Sequence, residues 1–341
     1  MRISMWRFDR LREPRFDRKA EKATLISERG LYLCRQRPTL PYTFACSTIG
    51  PAGLGAVGQQ PIVKQMTTME YPKNAGSAEE FLVCTALLPA ICKRYGNTFA
   101  LLEIPEVLHS DVNVGEHGTI YFRRYDGETY NDRWSEQPGD HAGGCALGTE
   151  LSSEMVQLLE DLQQIDVDWL LSLHPIGERA KASAFDLQGW LLSFREQQTQ
   201  AVEMGITANE FIQAAEFIKG GFQFAHRVVS NGDFYPRNLI KLPNKIVVVD
   251  WGYWTGYRVC FVDYLVNVAA FAFIHMWNNV PWQKEFVRHL REAFDIKSDD
   301  LRKAILIKSF EQAIFWRQSV PQSAQAQVRL FKMALKNEIF G

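Results

Sequence analysis

The chain has 341 residues and no long hydrophobic run. Its longest, residues 264–277, is about fourteen residues and includes Asn267 and His275. That is too short to span a bilayer and suits a buried helix. Residues 1–22 are not expected to act as a secretory signal, because they are dense in Arg, Lys, Asp and Glu and lack an apolar stretch. Asp9, Glu13, Asp17 and Glu21 in the same segment argue against a transit peptide, which avoids acids. The six cysteines include no C-x-x-C pair, so reduced thiols are expected rather than a disulfide framework or a zinc centre. Neither sign of charge dominates: 38 Lys and Arg oppose 39 Asp and Glu, for a net of −1. That balance leaves no electrostatic footprint for a nucleic acid or a membrane surface. A cytoplasmic protein is expected, with no membrane span and no nucleic-acid partner. No internal repeat or low-complexity segment is evident.

What is present is an ordinary globular composition, 46% hydrophobic and 23% charged, in a chain long enough to bury a sizeable core. After the charged arm at 1–22 come short β-type runs at 24–27, 30–34 and 42–49, then a brief strand at 61–66. Ser77 with Glu80 three residues later is a capping-box signature opening an apolar helix that runs to about Tyr95. Strand-like runs at 101–108 and 119–125 follow, so the first third reads as antiparallel sheet with one inserted helix. Residues 126–148, rich in Gly, Asp and His, read as a long loop or linker. From Leu151 the period becomes helical, with Leu151, Met155, Leu158, Leu159 and Leu162 on one stripe. Further helices are expected over 185–202, 207–228, 261–277, 281–294, 299–317 and 322–338. The fold class is α+β in two lobes: a β-rich N-lobe over 23–125 and a mostly helical C-lobe over 126–341.

The chemistry concentrates in residues 228–252. An apolar strand leads into a polar loop, Ser230-Asn231-Gly232-Asp233-Phe234-Tyr235-Pro236-Arg237-Asn238, followed by a β-hairpin that ends at Asp250-Trp251-Gly252. Asp233 and Asn238 are five residues apart, and Asp250 comes twelve residues after Asn238. Two acids and an amide at strand ends can converge on one point, which suits a hard cation beside a hydroxyl nucleophile. Any one of them alone would read as a turn former. Upstream, Lys64 lies within an apolar strand and needs a partner or an edge position open to water. Glu80, sixteen residues on, is the favoured partner, with Glu79 the alternative.

These residues, in this order and spacing, resemble the aminoglycoside phosphotransferase and choline kinase branch of the protein kinase-like fold. That branch carries H-G-D-x-x-x-x-N and then an apolar strand ending I-D-[WF]-[EG]; here Asn231 stands in place of the histidine. The resemblance covers about residues 25–320 and is specific over 230–252. It implies an ATP- and Mg²⁺-dependent phosphotransferase with an alcohol group as acceptor. Asp233 would take the proton of the substrate hydroxyl, and Asn238 and Asp250 would hold Mg²⁺. Lys64, fixed by Glu80, would bind the α- and β-phosphates. The backbone of residues 121–127 would meet the adenine edge. Arg237 would help neutralise phosphate charge, or stand as a solvated loop residue. The partner implied is a small hydroxylated substrate. The rival reading is a catalytically inactive kinase-like nucleotide-binding module acting through protein contacts.

Other patterns are weaker. Residues 53–58 spell G-x-G-x-x-G, but Pro61 and the β-branched Ile62 and Val63 follow where a dinucleotide fingerprint needs a helix. That turn touches phosphate or merely precedes the Lys64 strand; the connection at 35–41 is the expected cover of the nucleotide. His141 and Cys145 make a poor metal site. His226 is expected to cap or pack near a helix end, and Asp263 to cap the apolar helix after it. Trp251, Tyr253, Trp254 and Tyr257 could wall a substrate or fill the core. Residues 251–341 carry twelve Lys and Arg against eight Asp and Glu. This excess of about +4 suits a neutral or anionic substrate better than a polycationic antibiotic.

Overall fold

A computed structural model describes residues 23–27, 30–36, 44–48, 62–67, 83–112, 117–123, 125–130, 141–174, 176–249, 251, 254–255, 258–259, 262–276, 280–318 and 320–340. The charged arm at 1–22, the Ser77–Glu80 box, Glu79 and the turn at 53–58 lie outside these residues. The chain divides into two compact units. The first comprises Met1–Ala90 with Pro105–Asp126, the second Ile91–Ile104 with Gly127–Gly341.

In chain order the first strands are β1 (Ala23–Ser27), β2 (Gly30–Gln36), β3 (Phe44–Thr48), β4 (Ile62–Thr67), β5 (Leu102–Glu103), β6 (Val107–Val112) and β7 (His117–Phe122). All but β5 build the first unit's sheet, in the order β1-β2-β3-β4-β7-β6. Every pairing in it is antiparallel. Val83–Leu87 forms a π-helical turn that continues into α1 (Leu88–Tyr95). Val83, Cys84, Leu87 and Leu88 are buried, so this apolar segment is helical because one face has a core to enter.

The second unit is mostly helical. Its helices are α2 (His141–Gln163), α3 (Val167–Ser172), α4 (Ile176–Ser183), α5 (Leu187–Glu196), α6 (Gln198–Glu203), α7 (Ala208–Lys219), α8 (Leu265–His275), α9 (Val280–Phe294), α10 (Ser298–Trp316) and α11 (Pro321–Leu335). The stripe on α2 is real: Leu151, Met155, Leu158, Leu159 and Leu162 are all buried. Each such side chain contributes about 1.5–3 kcal/mol on leaving water. Helix α8 is buried on every side from Leu265 to Ile274, as expected of a helix apolar all round.

Four readings of this half need correction. Residues 141–148 are not loop but the first two turns of α2. Gly143, Gly144 and Gly148 each disfavour helix by about 1 kcal/mol, and the packing of α2 against α9 overrides them. The helix expected over 207–228 stops at Lys219, where Gly220 caps it and Gly221 adopts φ 69°. The helix expected from 261 begins at Leu265, and that expected over 185–202 is broken at Gln197. Beyond the strand that leads into the 230–238 loop and the hairpin at 239–248, this half holds further short strands. Strands β8 (Glu128–Thr129), β9 (Arg227–Val229), β10 (Leu239–Lys241), β11 (Ile246–Val248), β12 (Trp254–Thr255), β13 (Arg258–Val259) and β14 (Val262–Tyr264) all occur here.

These strands make a four-stranded sheet, β5-β11-β10-β8, and the pairs β12–β13 and β14–β9. The first sheet is tied to α2 by Asp161, which is fully buried. Its carboxylate accepts the backbone N–H groups of Ala100, Leu101 and Leu102 at 2.7–2.9 Å, satisfying three donors that would otherwise face the core alone. No helix among the described residues is long and apolar enough to cross a membrane.

Candidate active site

The loop at 230–238 is held at both ends by β structure. On its N-terminal side β9 pairs antiparallel with β14, Val228 opposite Asp263, and Val228 and Val229 are buried. On its C-terminal side a 3₁₀ turn, Pro236–Asn238, feeds β10, which pairs with β11 as Leu239–Val248, Ile240–Val247 and Lys241–Ile246. Pro236 suits the first position of that turn because its φ is already fixed and it has no N–H to satisfy. Phe234 is buried and anchors the loop's middle in the core.

The sharp bend falls at Gly232, whose φ of 77° is a conformation that costs other residues about 1–2 kcal/mol. Ser230 Oγ accepts the Gly232 N–H at 3.0 Å and closes the bend locally. The side chain of Asn231 is buried, and its Nδ2 donates to the carbonyls of both Asp233 and Val249 at 3.1 Å. Thus the residue standing where the resemblance expects histidine braces the loop against the strand end before Asp250. Tyr235 N–H returns to the Asp233 carbonyl at 2.8 Å, and Asn238 N–H to the Tyr235 carbonyl at 2.8 Å.

Asp233 and Asn238, five residues apart in sequence, meet directly. Asn238 Nδ2 donates to Asp233 Oδ2 at 2.7 Å and to the Asp233 carbonyl at 3.1 Å. Both side chains are buried. Because both partners are acceptors, the nitrogen of the Asn238 amide must face them. That leaves the Asn238 oxygen, the hard donor atom that Mg²⁺ prefers. Val249 N–H donates to the Asn238 carbonyl at 2.9 Å, and Trp251 Nε1–H to the Val248 carbonyl at 2.7 Å. The chain on either side of Asp250 is therefore fixed; Asp250 lies outside the described residues.

The other expected site residues fall as follows. Lys64 is on β4, a strand with neighbours on both sides, opposite Ile120; its side chain lies outside the described residues, as does all of Glu80. Arg237 occupies the 3₁₀ turn beside Asn238, its side chain undescribed. In the 121–127 stretch, Arg123 N–H bonds the Glu106 carbonyl. Gly127 in the second unit passes so close to the Lys241 carbonyl that a Cβ has no room. Trp251 is core, not wall; the side chains of Tyr253, Trp254 and Tyr257 are undescribed, as are those of His141 and Cys145. His226 is exposed on the strand approach rather than at a helix end, since α7 ends earlier.

Asp263 is not the helix N-cap; Tyr264 is, and Asp263 belongs to β14. The carboxylate of Asp263 still serves the helix start, accepting Tyr264 N–H and Asn267 Nδ2–H at 2.7 Å each. It also pairs with Lys308 Nζ at 3.0 Å, a contact that sequence reading missed. The available signal was Lys308 and Glu311 set one turn apart inside the largely apolar run 304–315, which also holds Ser309 and Gln312. The ring of Tyr235, two residues past Asp233, lies 4.4 Å from that of His275 at the end of α8.

A β-rich unit, a helical unit and a G-D-x-x-x-x-N loop between two strand pairs define the class: the chain has the α+β fold of the two-lobed, kinase-like phosphotransferases. Among solved structures it is similar to an aminoglycoside 2'-phosphotransferase in a GDP complex. There the TM-score is 0.56 and the identity 13%, over 86% of this chain and 88% of that one. A thermostable mutant of the aminoglycoside phosphotransferase APH(4)-Ia, bound to ADP and hygromycin B, gives 0.52 and 12% over 93% and 94%. A glucosamine kinase gives 0.51 and 10% over 93% and 94%. No family model and no curated protein sequence matches the chain.

Proposed function

We propose that this protein is an ATP- and Mg²⁺-dependent phosphotransferase that phosphorylates a hydroxyl group of a small molecule, with Asp233 as the catalytic base. The observation that carries the reading is the buried Asp233–Asn238 pair at 2.7 Å, on a loop held at both ends by β structure. Asn238 fixes one carboxylate oxygen of Asp233, so the group is oriented before a substrate arrives. Preorganisation of this kind, rather than covalent chemistry, is what phosphoryl transfer asks of a protein.

Asp233 accepts the proton of the acceptor hydroxyl as its oxygen attacks the γ-phosphorus in line with the departing β-phosphate. The Asn238 oxygen and the Asp250 carboxylate are the residues that would hold Mg²⁺. When bound, the metal neutralises charge on the phosphate oxygens. Lys64, paired with Glu80, binds the α- and β-phosphates, and Arg237 adds positive charge beside Asn238. The solved structures similar in fold are named for complexes with GDP and with ADP, so the nucleotide is tested as ATP against GTP. The basic excess of residues 251–341 favours a neutral or anionic acceptor, such as a sugar or polyol.

The test is nucleotide turnover over a panel of hydroxylated metabolites, with and without Mg²⁺, by wild type and Asp233→Asn. Mg²⁺-dependent transfer that Asp233→Asn abolishes supports the proposal. Mg²⁺-dependent nucleotide binding without transfer to any acceptor or to water, the same in both proteins, would instead identify a binding module.

A further inference from the structure

Beneath the 230–238 loop lies a charged cluster with no part in the chemistry proposed above. Lys308 of α10 is buried, with Nζ 3.0 Å from Asp263 Oδ2 and 3.3 Å from Glu311 Oε2. Its ammonium also sits 5.4 Å over the ring of Phe185. Glu311 is buried too, and its other oxygen accepts Trp190 Nε1–H at 2.9 Å. Removing three charges from water costs several kcal/mol each, and such clusters commonly match or trail an apolar replacement in stability. Stability alone is therefore a poor account of them, and what they touch is more informative.

Lys308 and Asp263 share a cavity with the loop. A small cavity of about 10 Å³, the size that admits one water, is lined by Lys308, Asp263 and Asn267 on one side. Ser230, Gly232 and Phe234 of the loop line it on the other, with Val268 and Phe271. Asn267 is fully buried and gives its Nδ2–H to Asp263, while its Oδ1 has no hydrogen-bond partner among the described residues. A buried amide oxygen without a partner costs about 1–3 kcal/mol, which one water bridging to the loop removes.

We propose that Lys308, clamped by Asp263 and Glu311, is a positioning residue that holds the bend at 230–233 through a water seated between Asn267 and the loop. The cluster fixes the orientation of Asp263. Asp263 in turn fixes Asn267, and the Asn267 oxygen presents the water to the bend from which Asp233 projects. The effect on turnover rests on the phosphotransferase reading; the effect on the loop does not.

The experiment compares Lys308→Met, Lys308→Arg, the uncharged triple variant Asp263→Asn/Lys308→Met/Glu311→Gln, and Asn267→Leu. Amide hydrogen exchange at Gly232, Tyr235 and Asn238 is the first readout. Lys308→Met and Asn267→Leu are expected to speed exchange there about tenfold or more, relative to β10 and β11, as a local opening does. The triple variant, which leaves no unpaired charge should Lys308→Met fail to fold, is expected to do the same, and Lys308→Arg to stay near wild type. Where wild type transfers phosphate, kcat is expected to fall about 10–100-fold in the opened variants with the nucleotide KM unchanged. Unaltered exchange at these three amides in folded Asn267→Leu and triple variants would overturn the proposal. So would a loss of kcat that Lys308→Arg fails to restore. Should wild type transfer no phosphate while the exchange pattern appears as expected, the functional reading falls and the positioning role stands.

Discussion

Replacing Asn231 by alanine isolates the brace that stands where a histidine is expected. Its Nδ2 donates to two buried carbonyls, those of Asp233 and Val249, each at 3.1 Å. The two carbonyls do not lose equally. The Asp233 carbonyl keeps the Tyr235 N–H at 2.8 Å and Asn238 Nδ2 at 3.1 Å. The penalty therefore concentrates at Val249 and in the small void left by the amide. Leaving one buried acceptor without its donor costs about 1–3 kcal/mol, and we expect about 2 kcal/mol here. The chain has two compact units, so one two-state transition is not assumed. Urea dependence of hydrogen exchange at β10 and β11 reads the second unit by itself. Asn231→His is the informative companion, because a neutral imidazole has a single N–H to offer. It should recover part of the stability but serve only one carbonyl. In turnover, Asn231→Ala should lower kcat about tenfold or more through misplacement of Asp233. An Asn231→Ala protein that keeps both wild-type exchange at β11 and wild-type kcat would refute the bracing argument.

Three further outcomes follow from other positions. Asp161→Asn keeps the shape but weakens three backbone hydrogen bonds to a buried carboxylate, and should destabilise the second unit by about 2–4 kcal/mol in urea unfolding. Gly232→Ala should cost about 1–2 kcal/mol through its left-handed φ, read by the same exchange measurement, with Gly232→Asn milder. Burial raises the Glu311 carboxyl above its ordinary 4.5, against the opposing pull of Lys308. A carboxyl that binds its proton more tightly when folded favours the native state at low pH, and that advantage is lost as pH rises from about 4.5 through the raised value. Glu311→Gln should therefore flatten the fall in stability over that interval, measured as urea midpoint against pH.

Much of the second unit was legible because its signals are local. The stripe from Leu151 to Leu162 repeats at helical spacing, and the hairpin of β10 and β11 is two apolar runs joined by a short turn. Asp233 and Asn238 stood out by a five-residue spacing whose geometry the structure closes directly. What escaped was set by partners distant in sequence. β14 is three residues long and exists because Asp263 meets Val228 of β9 across the sheet. The start of α2 carries three glycines that local propensity would break, and packing on α9 decides otherwise. Asp161 and Lys308 look like surface charges until the backbone amides of 100–102 and the carboxylate of Asp263 are brought to them.

The division of labour between Asp233 and Asn238 is the centre of this account, and Mg²⁺-dependent phosphoryl transfer by their variants tests it most directly. Asp233→Asn should lose about 10²–10⁴ in kcat at saturating Mg²⁺ while its affinity for the Mg²⁺–nucleotide complex stays that of wild type. Asn238→Ala should instead raise the Mg²⁺ concentration needed for half-maximal rate about tenfold or more. An Asp233→Asn protein that transfers phosphate at the wild-type rate, or an Asn238→Ala protein with an unchanged Mg²⁺ requirement, would contradict it.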